Sequence, residues 1–359
     1  MAKRTENEGL LRGAPAWVTA LVLLLAGLVL SLLVAVTIGS TDIPLTDVYH
    51  VILYQLFGIG DPAYGEGNLF RAVWYLRLPR LLLAAGIGMA LAVCGVIMQA
   101  VVKNPLADPY VLGISSGASL GATLAIMVGV GAVFGGNAVG VMAFIGAFAV
   151  SLLVVGLANV GSRASSVKLL LAGMAVSSVC SAFSNFIVYT ANDREGMQTV
   201  TYWMMGSLAG ATWEQDAAVL LVALLGAGFF WTQHRNLNLM LLGDESAITL
   251  GTDLHRWRQL YLLVSAAMVG FAVYAAGMIG FVGLVVPHVV RMLFGTDHKK
   301  LIPLCALSGA VFLVWADVAC RVLIKGTELP IGILTSMIGA PCFIYLMVRK
   351  KYGFGGEGG

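Results

Sequence analysis

Charged residues divide this chain into long windows that contain none, and their spacing limits the possible folds more than any other feature. A helix needs about 20 consecutive apolar residues to cross a bilayer core. An Asp, Lys or Arg at its centre costs roughly 2.5–3.5 kcal/mol. Uncharged runs of 29 residues lie between Arg12 and Asp42, 22 between Arg80 and Lys103, and 24 between Lys168 and Asp193. Another 18 lie between Asp216 and Arg235, and 20 between Glu328 and Arg349. Asp108 to Arg163 encloses 54, room for two spans about a turn at Gly135, Gly136 and Asn137. Arg258 to Arg291 encloses 32, a span and a shorter helix broken around Gly277 and Gly280. The stretch 302–324 is apolar apart from Asp317 and Arg321. The expectation is an all-α polytopic membrane protein with ten transmembrane helices.

Composition points the same way. Of 359 residues, 59% are apolar and 11% charged, against about 45–50% and 25% in soluble domains. That balance excludes a soluble enzyme, a disordered chain and a secreted disulfide scaffold. The net charge of +3 is small and scattered, so no nucleic-acid partner is expected. With an even number of spans both termini share one side. That side collects 15 Lys and Arg against 6 on the other, so it is assigned to the cytoplasm. The first apolar run, about 23 residues long, exceeds a signal-peptide core. The expected location is the cytoplasmic (inner) membrane, with lipid as the surrounding partner. Residues 1–15 and 350–359 are expected to form cytoplasmic tails around a ten-helix transmembrane domain over 16–349.

The five cysteines (Cys94, Cys180, Cys305, Cys320 and Cys342) sit in or beside apolar spans without metal-ligand spacing and read as small buried hydrophobes. No metal site is expected. Gly113, Gly117 and Gly121 form a small-residue face for close helix approach. The fifth span carries Gly173, Ser177, Ser181 and Ser184 on one face with Asn185 beside it, either a packing stripe or the polar wall of a water-filled path. Asp317 and Arg321 are spaced to pair along one helix. His288 lies near the inner end of a short helix. Neither an unpaired mid-membrane carboxylate nor a protease dyad is evident, which disfavours an ion-coupled secondary transporter and an intramembrane enzyme.

Two outward segments carry structure of their own. Thr41-Asp42-Ile43-Pro44 reads as the capped start of a surface helix reaching Phe57. Residues 197–211 are apolar enough to re-enter the membrane, which is tolerated where backbone lines a cavity. On the inner side, Asp108 and Pro109 are suited to N-cap and first helical position, so the third span is expected to start there. Residues 233–258 form the longest inward loop. Within it, 241–251 reads as a short helix capped by Asp244 and ended by Gly251, a docking element presented to the cytosol. No GxxxxGK[ST] phosphate loop occurs, so any ATP must be bound by another chain.

These motifs resemble the FecCD-type permeases, the membrane subunits of ATP-binding-cassette importers for iron–siderophore complexes, haem and vitamin B12. The matching residues are Asn104-Pro105-Leu106-Ala107-Asp108-Pro109 with Leu112-Gly113-Ile114-Ser115-Ser116-Gly117-Ala118, then Leu76-Arg77-Leu78-Pro79-Arg80 and Tyr202-Trp203-Met204-Met205-Gly206. Residues 280–288 and Glu328-Leu329-Pro330-Ile331-Gly332 complete the set. The resemblance implies the type II importer permease fold and a homodimer around a central path. It implies two separate ATPase subunits that bind ATP and magnesium, no cofactor in this chain, and an extracytoplasmic substrate-binding protein. Gly243, Asp244, Glu245, Ser246, Ala247 and Gly251 resemble the coupling motif that sits in a groove of the ATPase. Arg77 and Arg80, and Arg321 by its place before Glu328, match outward arginines that clamp the binding protein. The resemblance favours the path reading of Gly173, Ser177, Ser181, Ser184 and Asn185, and places the cytoplasmic gate at Leu106, Ser165 and Ser166. It leaves the cargo between an iron complex, expected from the breadth of the family, and cobalamin.

Overall fold

The computed structural model describes residues 14–39, 41, 43–161, 165–243, 247, 249, 252–324 and 326–349. Among these residues every regular element is a helix. In chain order they are α1 (Ala14–Thr37), α2 (Leu45–Phe57), α3 (Gly67–Val102), α4 (Ile114–Val128), α5 (Ala138–Ala158) and α6 (Ser166–Ala191). There follow α7 (Arg194–Met204), α8 (Trp213–Thr232), α9 (His234–Leu242), α10 (Leu254–Ala276), α11 (Val282–Phe294), α12 (His298–Val322) and α13 (Ile331–Arg349). Among the described residues seven helices are long and apolar enough to cross a membrane, and α4, α11 and α13 add shorter apolar helices. Together they give the ten-helix bundle, with α2, α7 and α9 as its accessory helices.

The bundle is organised around α3. Its most apolar window is 94% buried, whereas the α1 window is only 17% buried and faces outward. Helices α8, α10, α11 and α12 all pack on α3. Small residues make this possible. A Cβ on Gly88 would strike the carbonyl of Gly309 on α12, and one on Gly95 the carbonyl of Gly283 on α11. A second pair, α4 on α5, meets in the same way, Gly117 lying against Gly146 and Gly121 against Met142. Lipid offers apolar side chains no reason to leave it, so close backbone approach and dispersion carry the association.

After an α-helical first turn, Gly67–Phe70, α3 runs through a wide π stretch over Arg71–Arg77 before Pro79. A proline lacks the amide donor and crowds the carbonyl four residues back, and widening the turn relieves both conflicts.

Three helix starts differ from expectation. The surface helix begins at Leu45 with Pro44 in the cap position and no side-chain cap, while Asp42 lies outside the described residues. Asp108 does cap, but it starts a 3-10 turn over Pro109–Leu112, and α4 begins only after the left-handed Gly113. Leu241 and Leu242, expected to open the short inward helix, instead end α9, which occupies residues expected as loop. It buries only Leu237 and Met240, too few apolar positions to make a strong pattern.

Candidate functional site

At the end of the bundle where α1 finishes, five charged groups from α3, α12 and the turn before α13 form one cluster. Arg80 Nε lies 2.7 Å from Asp317 Oδ1, and its Nη1 lies 2.7 Å from Glu328 Oε2. Arg321 Nε lies 3.1 Å from Asp317 Oδ2. Arg321 Nη1 also donates to the Ile38 carbonyl at 3.0 Å. Arg77 donates to the carbonyls of Val36 (2.7 Å) and Thr37 (3.0 Å) and to the Thr41 carbonyl. It thereby satisfies the last turn of α1, where helix carbonyls have no partner of their own.

Arg77 and Arg80 are each only 8% exposed. The resemblance expects Arg77, Arg80 and Arg321 to meet an outer partner; in the structure all three are held by groups of their own chain. Carboxylates and helix-end carbonyls of the same chain lie within their reach, and an unpaired guanidinium at that depth would be costly. The group left at the surface is Glu328, whose side chain is 52% exposed. Glu328 belonged to a recognised motif, yet nothing in its local spacing disclosed a partner 248 positions away.

Deeper in the bundle, three interruptions of helical backbone meet. The segment after α7, the break between α10 and α11, and the start of α13 bond to one another. Ser207 N donates to Ala276 O (2.8 Å), Ile331 N to Gly206 O (3.2 Å) and Gly332 N to Met205 O (3.0 Å). The Tyr110 hydroxyl donates to Ile279 O at 3.2 Å. Irregular backbone within a membrane requires such internal partners. Gly277 (φ 68°) and Gly206 (φ 72°) take conformations that favour glycine, and Phe281 takes φ 67° despite its ring. α11 is 13 residues long, about 20 Å at 1.5 Å per residue. The irregular residues supply the rest of its crossing. The residues expected to re-enter thus divide into α7 and a non-helical return that anchors in this junction.

α6 presents two faces. Gly173 and Ser184 are buried and Ser177 half-buried, whereas Ser181 and Asn185 are exposed. A Cβ on Gly113 would touch Ser177 Oγ and Gly173 O. Gly173 and Ser177 therefore belong to a packing stripe, a different surface from the one holding Ser181 and Asn185. Ser181 leaves the stripe because each further turn of 3.6 residues rotates the i, i+4, i+8 series away from it.

At the opposite end of the bundle, Leu106 and Asp108 lie in the turn between α3 and α4. Leu106 N donates to Asn104 Oδ1 (2.9 Å) and Tyr110 N to Asp108 Oδ1 (2.8 Å). Ser165 caps α6 by accepting from Lys168 N (3.2 Å), and Ser166 is its first residue. Of the residues expected to form the coupling element, Asp244, Glu245, Ser246 and Gly251 lie outside the described residues. Ala247 is buried and donates through its amide to Gly243 O at 3.1 Å.

Burial pushes the Asp108 carboxyl up to about 6, against the Tyr110 amide that lowers it. An unfolded aspartate titrates near 3.9. The folded protein therefore holds this proton more tightly, and the stability it contributes is lost as pH rises through about 4 to 6. Asp108→Asn keeps a capping side chain and removes the titration. Its thermal midpoint in detergent is expected to vary less between those pH values than that of the parent. An equal pH dependence in both would assign the titration to another group.

Further inward residues that sequence reading did not select hold α9 in place. The Gln233 Oε1 atom accepts from Tyr261 Oη (3.1 Å) and Asn236 Nδ2 (3.0 Å). Asn238 contacts Asp297 and His298 at the start of α12. Isolated amides in a polar loop carry no pattern, so only the folded arrangement reveals them.

Comparison with known proteins gives a consistent picture. The model of the FecCD transport family matches residues 25–349. The vitamin B12 import system permease protein BtuC of Salmonella typhi is 41% identical over 298 residues, covering 82% of this chain and 89% of the relative. The BtuC proteins of Salmonella enteritidis and Salmonella agona match to the same extent. Among solved structures, a metal-chelate type ABC transporter in an inward-facing conformation superposes with TM-score 0.78 at 30% identity, covering 93% of this chain and all of that one. PsaBC from Streptococcus pneumoniae shares the fold, with TM-score 0.51 at 16% identity over 75% of this chain and 89% of that one.

Proposed function

The chain belongs to the FecCD transport family, and on that premise we propose that it is the permease subunit of an ATP-driven importer whose cargo is cobalamin. It is a membrane transport component, not an enzyme. The observation that carries the cargo is the 41% identity to vitamin B12 permeases across most of both chains. An iron complex is the second reading. The breadth of the family favoured it, and it keeps the support of the structural relative described as a metal-chelate type transporter. Cobalamin, a cobalt chelate, belongs to the same chemical class.

In this proposal two copies enclose a path, and both termini lie in the cytoplasm. The exposed face of α6, with Ser181 and Asn185, borders the path, while Gly173, Ser177 and Ser184 pack the helix behind it. Hydroxyl and amide groups on such a wall let cargo pass without gripping it. Leu106, Ser165 and Ser166 stand at the inner turns as gate residues. The substrate-binding protein docks over the outer ends of α3 and α12. Arg77, Arg80 and Arg321 shape that rim from within, and Glu328 lies at its surface. Residues 243–251 seat in the ATPase, which holds ATP and magnesium, since this chain has no phosphate loop. No cofactor resides in the chain itself.

Glu245→Arg tests the seat. Reversal of a charge at an interface commonly weakens association by several kcal/mol. Co-purification of the ATPase should fall at least about tenfold, a loss of 1.4 kcal/mol, while the permease keeps its thermal midpoint. Full recovery of the ATPase with the variant would remove Glu245 from the interface.

A further inference from the structure

We propose that Asn238 is the positioning residue that conveys movement of the coupling segment into α12, and through α12 to the outer ion cluster. The proposal rests on the permease reading above.

The inner end of the bundle offers two routes out of residues 243–252. Both are covalent, one forward through Asp253 into α10 and one backward into α9. α9 packs on α3 and α12, and it is fastened to α12 by side chains. Asn238 Nδ2 donates to Asp297 Oδ1 at 3.0 Å. Its Oδ1 accepts from the His298 amide at 3.0 Å and contacts His298 Nδ1 at 2.7 Å. One amide group thus engages the capping residue and the first residue of α12. Trp231 Nε1, on the preceding helix, adds a bond to Lys299 O at 3.0 Å.

This fastening is built to bear load. His298 is 1% exposed, and Leu237 and Met240 of α9 are fully buried on either side of Asn238. α12 is 25 residues long, about 37 Å at 1.5 Å per residue, enough to cross the membrane, and Pro303 interrupts its bonding only near the start, where the freed Lys299 carbonyl accepts from Trp231. Near its far end Asp317 pairs with Arg321 and holds Arg80 of α3. A displacement at Asn238 therefore reaches the rim that binds the outer partner. α10 has no corresponding ion pair near its outer end among the described residues.

The experiment uses the full complex with ATPase and binding protein in liposomes. Uptake per ATP hydrolysed is the readout, because a merely structural lesion lowers both together. In Asn238→Ala this ratio should fall about tenfold, within the range of ordinary coupling energies. ATPase association should persist, and hydrolysis should stay within about twofold. The exchanged pair Asn238→Asp with Asp297→Asn restores a donor and an acceptor across the same gap, and Asn still caps α12. It should bring the ratio back to within about threefold of the parent, less than one kcal/mol of coupling. An unchanged ratio in Asn238→Ala, parallel loss of uptake and hydrolysis, or no recovery in the exchanged pair would each overturn the proposal.

A second measurement does not depend on cargo. Spin labels at Val322, on the outer end of α12, and Val133, between α4 and α5, are both exposed. Their separation should respond to nucleotide in the parent complex and not in Asn238→Ala. An equal response in the variant overturns the proposal. Failure of the parent chain to bind an ATPase at all would instead overturn the permease reading.

Discussion

Arg80→Ala should lower stability by about 3–5 kcal/mol, the usual consequence of removing one member of a buried ion pair. Asp317 is fully buried and Arg80 nearly so, so the variant leaves a carboxylate with only Arg321, at 3.1 Å, to answer two oxygens. The loss would appear in detergent as a lowered thermal midpoint and a smaller folded yield. Adding Asp317→Asn to Arg80→Ala removes the stranded charge and should recover at least half of the deficit, because Arg321 keeps the Ile38 carbonyl. Glu328→Gln touches the same arginine from a half-exposed position and should change stability by no more than about 1 kcal/mol. A Glu328 variant as damaging as Arg80→Ala would move the centre of the cluster to the surface.

Gly95→Val should be comparably severe. A Cβ at Gly95 would overlap the backbone carbonyl, carbonyl carbon and Cα of Gly283, none of which can rotate away. Accommodation therefore requires α3 and α11 to separate. Overpacking of a tight site costs about 1–3 kcal/mol and sometimes more, and a backbone-to-backbone contact lies at the upper end. Separation would also disturb the junction at 277–281, where α11 begins. Gly27→Ala on α1 is the control: nothing lies within 4 Å of the added methyl, and alanine is the better helix former by about 1 kcal/mol. Equal thermal midpoints for Gly95→Val and Gly27→Ala would mean that α3 and α11 do not meet as closely as described.

Much of the architecture was legible because a bilayer penalises charge so steeply. The uncharged windows located the membrane helices, the Gly135–Asn137 turn and the break near Gly277. Of the glycine repeat, Gly117 and Gly121 announced the packing of α4 on α5, since only small residues allow that approach, whereas Gly113 lies in the left-handed turn before α4, against α6. Charges were harder to read. Arg77, Arg80 and Arg321 are outward by position along the chain, but their environment depends on Val36, Asp317 and Glu328, which are distant in sequence. The stripe on α6 was visible, though which of its edges faces packing and which faces open space was not. Gly173 and Ser177 pack against Gly113, Ser184 is buried further along, and Ser181 with Asn185 take the open side. Asn238 was invisible, because a single amide in a polar segment has no period.

Uptake by the complex reconstituted in liposomes with its ATPase and binding protein is the most direct test of the proposed function. Cobalamin and a ferric siderophore would be offered in parallel, with ATP or the binding protein omitted in turn. The predicted result is accumulation of cobalamin that stops when either is left out. Accumulation without ATP would contradict an ATP-driven importer, and ATP-dependent accumulation of the ferric siderophore alone would contradict the cobalamin assignment.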